Sequence, residues 1–84
     1  MRITVRYFAL LREAAGRESE EVELAGVRSS LGDLLAVLQE RSGSLDDCLR
    51  NRPLLCTVNR EYAGREKILQ EGDEVALFPP VSGG

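Results

Sequence analysis

Ser30-Leu31-Gly32-Asp33-Leu34-Leu35-Ala36-Val37-Leu38 is the stretch on which the fold turns. Its leucines stand at Leu31, Leu34, Leu35 and Leu38, the i, i+3, i+4, i+7 spacing that lines one side of an α-helix. Ser30 is placed to accept from the backbone N–H of Asp33. Asp33 in turn puts a negative charge in the first turn, where the helix dipole favours it. Gly43 is the expected C-terminal stop. A helix with one apolar stripe must bury it against another element. The stripe therefore predicts a core helix lying on a sheet.

The strands that make that sheet lie on both sides of the helix. Upstream, residues 3–8 alternate Ile3, Val5 and Tyr7 with Thr4, Arg6 and Phe8, a period of two with β-branched and aromatic residues. Ala9 to Ala15 has helical composition and stops at Gly16. Glu20 to Leu24 alternates again, with Val22 and Leu24 on one face. The carboxylates of Glu18, Glu20, Glu21 and Glu23 are expected to form a solvated surface.

Downstream, Ser44 is placed to cap a short helix over Leu45 to Arg50, which Pro53 cannot continue. Leu54 to Val58 is apolar and β-compatible, Asn59-Arg60 reads as a turn, and so does Glu71-Gly72-Asp73. Glu74 to Phe78 alternates, Val75 and Leu77 against Glu74, Ala76 and Phe78, until Pro79-Pro80 ends the ladder. The order is a hairpin, a helix and further strands. If the first and last long strands are neighbours they run parallel, and the helix supplies the crossover. This predicts an α+β fold, a mixed sheet with one main helix packed on one face, as in the β-grasp. Residues 1–78 are expected to form that domain and 79–84 an extended tail.

Composition narrows the function. Eighty-four residues with 43% hydrophobic and 30% charged suit one small globular domain with a modest core. The net charge is −3 and the basic residues are scattered from Arg2 to Lys67, so no nucleic-acid partner is expected. No apolar run is long enough for a bilayer, and Arg6 interrupts any signal-like segment. Histidine is absent, which removes Ser-His and Cys-His nucleophile pairs and His-ligated metals. Cys48 and Cys56 are too few for a structural zinc and fit a reducing cytoplasm. Both are read as packed, inert thiols. The reacting group of such a chain need not be a side chain.

The end of the chain offers that group. Val81-Ser82-Gly83-Gly84 follows Pro79-Pro80, whose fixed φ favours an extended course. Two terminal glycines occur by chance in about 0.5% of chains at ordinary glycine usage. From Pro79 onward six residues reach on the order of 20 Å. A tail that tapers to no side chain suits a narrow channel in which its terminal carboxylate meets a partner's active site. A carboxylate is a poor electrophile, so the partner must activate it, for instance by adenylation with ATP. Transfer to sulfur and transfer to a lysine both remain open on the residues alone.

The whole chain, from Ile3 to Gly84, resembles the small sulfur-carrier subunits of molybdopterin synthase (MoaD type), in the ubiquitin-like β-grasp superfamily. The resemblance rests on Val5-Arg6-Tyr7-Phe8-Ala9 with Arg12-Glu13, on Val58-Asn59, and above all on Gly72 through Gly84 with its Phe78-Pro79-Pro80-Val81-Ser82-Gly83-Gly84 ending. It implies that Gly84 is adenylated and then thiocarboxylated, that Gly83 gives clearance, and that Pro79, Pro80, Val81 and Ser82 accompany it into the large catalytic subunit. There the sulfur builds the molybdopterin dithiolene. It also implies a heterotetramer with the large subunit, an adenylating activating enzyme that uses ATP, a sulfur donor, and no cofactor bound to this chain. Catalytic acids and bases would then belong to the large subunit.

Strand parity adds a docking hypothesis. With Val5, Tyr7, Val75 and Leu77 turned to the helix, Phe8 and Phe78 point to the helix-free side. They are expected to anchor the large subunit, with Arg12 as a polar rim contact. Other readings are a carrier for tRNA thiolation or thiamine synthesis, a ubiquitin-like protein modifier, and an interaction domain with an incidental Gly-Gly.

Overall fold

The computed structural model describes residues 1–26 and 28–80. In chain order the elements are β1 (Arg2–Tyr7), α1 (Leu10–Ala15), β2 (Ser19–Glu23), β3 (Ser29–Ser30) and α2 (Leu31–Arg41). There follow α3 (Gly43–Asn51), β4 (Leu55–Val58), β5 (Glu61–Tyr62), β6 (Ile68–Leu69) and β7 (Glu74–Phe78). Five strands form the main sheet in the order β2-β1-β7-β4-β5, and β3 pairs with β6 apart from it.

The first and last strands meet at the sheet centre and run parallel, Val5 opposite Val75 and Tyr7 opposite Leu77. Their neighbours β2 and β4 are antiparallel to them. Alternation then does what period two requires: Ile3, Val5, Tyr7, Val75 and Leu77 are all buried in one cluster with Leu31, Leu34, Leu35 and Leu38 of α2. The helix begins as its sequence specifies. Ser30 Oγ accepts from the N–H of Asp33 at 3.1 Å, and the Asp33 carboxylate accepts from the N–H of Ser30 at 2.9 Å. This is a reciprocal cap that satisfies two otherwise orphaned donors.

Most strand and helix ends fall within a residue of expectation, but the junction between α2 and α3 departs from it. The α2 helix stops at Arg41, and Gly43 opens α3 instead of closing α2. Ser42, not Ser44, caps α3, its hydroxyl accepting from the N–H of Leu45 at 3.2 Å. Extended backbone at Ser42 (φ −151°) ends one helix and starts the next, so no left-handed residue is needed between them. The two-residue pairs β3–β6 and β4–β5 were not anticipated as strands beyond β4. Segments of two residues carry no period to read.

The acidic run is not uniformly solvated. Glu21 is exposed, and Glu18 and Glu23 are exposed but paired with Arg12 and Arg2. Glu20, however, sits opposite Val5 on the core face of the sheet. It accepts a 2.6 Å hydrogen bond from the Tyr7 hydroxyl and lies 3.0 Å from the Arg41 guanidinium. Tyr7 thus buries a large ring while its polar end is satisfied. Burial, and then this carboxylate, push the Tyr7 phenol well above its ordinary range.

Candidate functional site

The outer face of the sheet divides into two halves. Near β2 it is polar, with Thr4, Arg6 and Glu74, the last two 3.6 Å apart. Toward the end of β7 it turns aromatic. Phe8 extends the parallel ladder, its N–H donating to Leu77 O at 3.1 Å, so its ring falls on the side away from Tyr7. Phe78 leaves β7 on the same side. The two rings meet edge to face with centroids 6.4 Å apart at 89°.

The chain turns sharply just after Phe8. Ala9 has φ 53° and ψ −127°, and Leu11 N–H donates to Phe8 O at 3.1 Å. These angles are those of the first central residue of a type II′ turn, a position that glycine ordinarily fills. The turn sends the chain into α1 and leaves the Phe8 ring 45% exposed.

Tyr62 supplies a third ring that the sequence reading missed. It lies on β5 opposite Thr57, its centroid 6.2 Å from that of Phe78, and it is 73% exposed. The signal was present only as one tyrosine beside a turn; nothing local tells which strand it pairs with. The hairpin that carries it is held by Asn59 and Arg60, both with positive φ. Asn59 is the pivot: its side chain donates to Asp73 Oδ1 at 2.9 Å and accepts from the N–H of Glu74 at 3.0 Å. The Val58-Asn59 pair therefore serves the geometry of the turn against β7.

A groove of about 600 Å³ runs from the Phe8 and Phe78 rings to the root of the tail, bordered by these two with Thr57, Ala76, Pro79 and Pro80, and Tyr62 stands beside Phe78 outside it. Arg60 is the single charged side chain on its border. Arg12 does not line it; it sits on α1, 3.3 Å from Glu18. Val81, Ser82, Gly83 and Gly84 lie outside the described residues. A second hollow, of about 410 Å³, borders Leu31, Leu54, Cys56 and Tyr62. Burial pushes the Cys56 thiol up, which disfavours its thiolate. Cys48 is half-buried. Among the described residues no three acidic or thiol side chains come together as metal ligands, and no helix is long and apolar enough to cross a membrane.

A central parallel strand pair, a crossover helix and a C-terminal tail leaving the last strand define a ubiquitin-like β-grasp domain. The chain belongs to the ThiS family, whose model matches residues 5–84. It is 38% identical over 86 residues to a molybdopterin synthase sulfur carrier subunit of Chlamydomonas reinhardtii, with all of both chains covered. Among solved structures it is similar to SAMP1 of Haloferax volcanii (33% identity, TM-score 0.82, all of both chains covered). It is also similar to a chain of the complex of subunits 1 and 2 of molybdopterin-converting factor from Helicobacter pylori 26695 (27% identity, TM-score 0.73, all of both chains covered). The sulfur-carrier resemblance read from the tail and from Val5 to Ala9 agrees with these likenesses.

Proposed function

We propose that this chain is the sulfur-carrier subunit of molybdopterin synthase. One observation carries the reading: an apolar, ring-lined groove of about 600 Å³ is placed at the root of a Gly-Gly tail. Three exposed or half-exposed rings on a small sheet are costly in water and mark a docking surface. A partner gripping Phe8, Tyr62 and Phe78 holds the tail root at Pro79-Pro80 and so directs the terminal carboxylate toward its own active site. The relatives' association with a second subunit supports a protein partner; that it is the large catalytic subunit is part of the proposal.

The chemistry follows from the carboxylate. Gly84 attacks the α-phosphate of ATP on an activating enzyme and pyrophosphate leaves. Sulfide-level sulfur from a donor then attacks the acyl carbon, the C–O bond to phosphate breaks and AMP leaves with its electron pair, giving a thiocarboxylate. The large subunit uses that sulfur to build the dithiolene. We assign the proton transfers to the partners, in keeping with the absence of histidine from this chain. Its own part is to dock and to present a tail without side chains at the end. The test is the intact mass of the chain after incubation with ATP, an activating enzyme and a sulfur donor. Replacement of one oxygen by one sulfur is the expected shift, and an unchanged mass overturns the proposal.

A second reading is favoured by the likeness to SAMP1 and to small archaeal modifier protein 3 of Haloferax volcanii. The same acyl-adenylate, met by a lysine amine, gives an isopeptide. A branched peptide on a partner protein distinguishes it from the thiocarboxylate.

A further inference from the structure

Of the eleven basic residues ten are arginine and one is lysine, Lys67. The distinction matters for a chain whose carboxyl becomes an electrophile. A guanidinium stays protonated and does not attack acyl groups, whereas an ammonium can lose its proton and do so. The amino group of Met1 is already engaged. It donates to Leu24 O at 2.9 Å and lies 3.5 Å from the Glu23 carboxylate, on a residue whose side chain is 5% exposed.

Lys67 is differently placed. Its side chain is exposed, and among the described residues no carboxylate approaches it within ion-pair distance. Its backbone is fixed at both polar groups, the N–H donating to Gly64 O at 3.1 Å and the carbonyl accepting from Leu31 N–H at 2.8 Å. It borders one hollow with Val58, Asn59, Glu61 and Asp73, at the end of the sheet where β7 begins, and a second with Glu61, Tyr62 and Glu66, and it does not line the groove at the tail root. Pro80 stands at the other end of β7, about 20 Å along the strand. Four residues beyond Pro80 span at most about 14 Å. The amine is thus out of line with its own tail and, being exposed, open to the tail of a second copy.

We propose that Lys67 is the acceptor through which one copy of this chain takes the activated C-terminal acyl group of another, giving a linear isopeptide-linked series. The inference rests on C-terminal activation as proposed above. The neutral Nζ of Lys67 attacks the carbonyl of the acyl-adenylate. The C–N bond forms, the C–O bond to phosphate breaks, AMP leaves with its electron pair, and the ammonium proton passes to water. ATP, consumed by the activating enzyme, is the one co-reactant.

The test incubates the full chain with an activating enzyme and ATP without sulfur donor, following pyrophosphate release and conjugates on a denaturing gel. The expected product has twice the chain mass less one water, and peptide mapping places the branch on Lys67. Lys67→Arg should remove the product while pyrophosphate release is unchanged. Conjugates that persist in Lys67→Arg, a branch on Met1, or ATP turnover without conjugate each overturn the inference. Absence of pyrophosphate release counts instead against the activation reading. The acceptor is then read without the enzyme, from the chain prepared with a C-terminal thioester at mildly alkaline pH. Aminolysis at Lys67 sustains the inference, and its absence overturns it.

Discussion

The two faces of the central strand pair are made by the same ten or so residues and do opposite work. On the inner face Val5, Tyr7, Val75 and Leu77 are almost wholly buried against α2. On the outer face Phe8 and Phe78 begin one residue away from that core and stay partly in water. One-residue alternation therefore separates stability from recognition within a single ladder. Changes to the inner face are paid for in stability. The outer face holds rings left partly in water, the surface proposed here to meet a partner.

The largest expected effect falls on neither face. Deleting Gly84 should abolish adenylation and sulfur transfer while leaving the melting temperature nearly unchanged, because a terminal residue adds little to folding. Appending a residue after Gly84 should be equally damaging, since it converts the reactive carboxyl into a peptide bond. Full transfer by the shortened chain would dissolve the carrier reading.

The inner face comes next. Leu34 is fully buried, and Leu34→Ala should cost about 2–5 kcal/mol in urea unfolding. For a domain of this size that is a large share of its stability. A loss below about 1 kcal/mol would show that the stripe is not what holds α2 to the sheet.

On the outer face Phe78→Ala should weaken binding to the large subunit by about 2 kcal/mol, roughly thirtyfold, with circular dichroism unchanged. Tyr62→Ala should weaken it in the same direction. Titration calorimetry measures both. Equal affinity in a folded Phe78 variant would break the contrast between the faces and leave the tail chemistry standing.

A smaller effect sharpens the inner face through pH. With its folded pKa raised, Tyr7 stays protonated in the native state while the unfolded chain ionises from about pH 10. Its contribution is therefore whole below pH 10 and fades as pH rises above it. Tyr7→Phe should cost about 1–2 kcal/mol at neutral pH, by leaving Glu20 one donor short, and should flatten the alkaline loss. Urea midpoints between pH 8 and 11 test it; identical slopes in the two proteins would count against the Tyr7–Glu20 bond.

The smallest change sits where the chain passes from one face to the other. Ala9 occupies a backbone region suited to glycine, so Ala9→Gly should raise stability by about 0.5–1 kcal/mol. A fall in the thermal midpoint would contradict the turn geometry at Phe8.

Local chemistry alone determined much of this protein. The leucine spacing and Ser30 cap specified α2, period two specified β1 and β7 and which of their residues face inward, and the prolines ended β7 where it ends. These signals are legible because each depends on neighbours within about one helical turn or two strand positions. Only tertiary structure decided the rest. It chose Ser42 over Ser44 as the cap of α3, since either serine satisfies the same local rule. It brought Tyr62 beside Phe78 across two strands, set Glu20 against Tyr7, and assigned Asn59 to brace the turn before β7. Each of those contacts joins residues at least thirteen positions apart, and such pairings depend on strand order and register, which no short window of sequence contains.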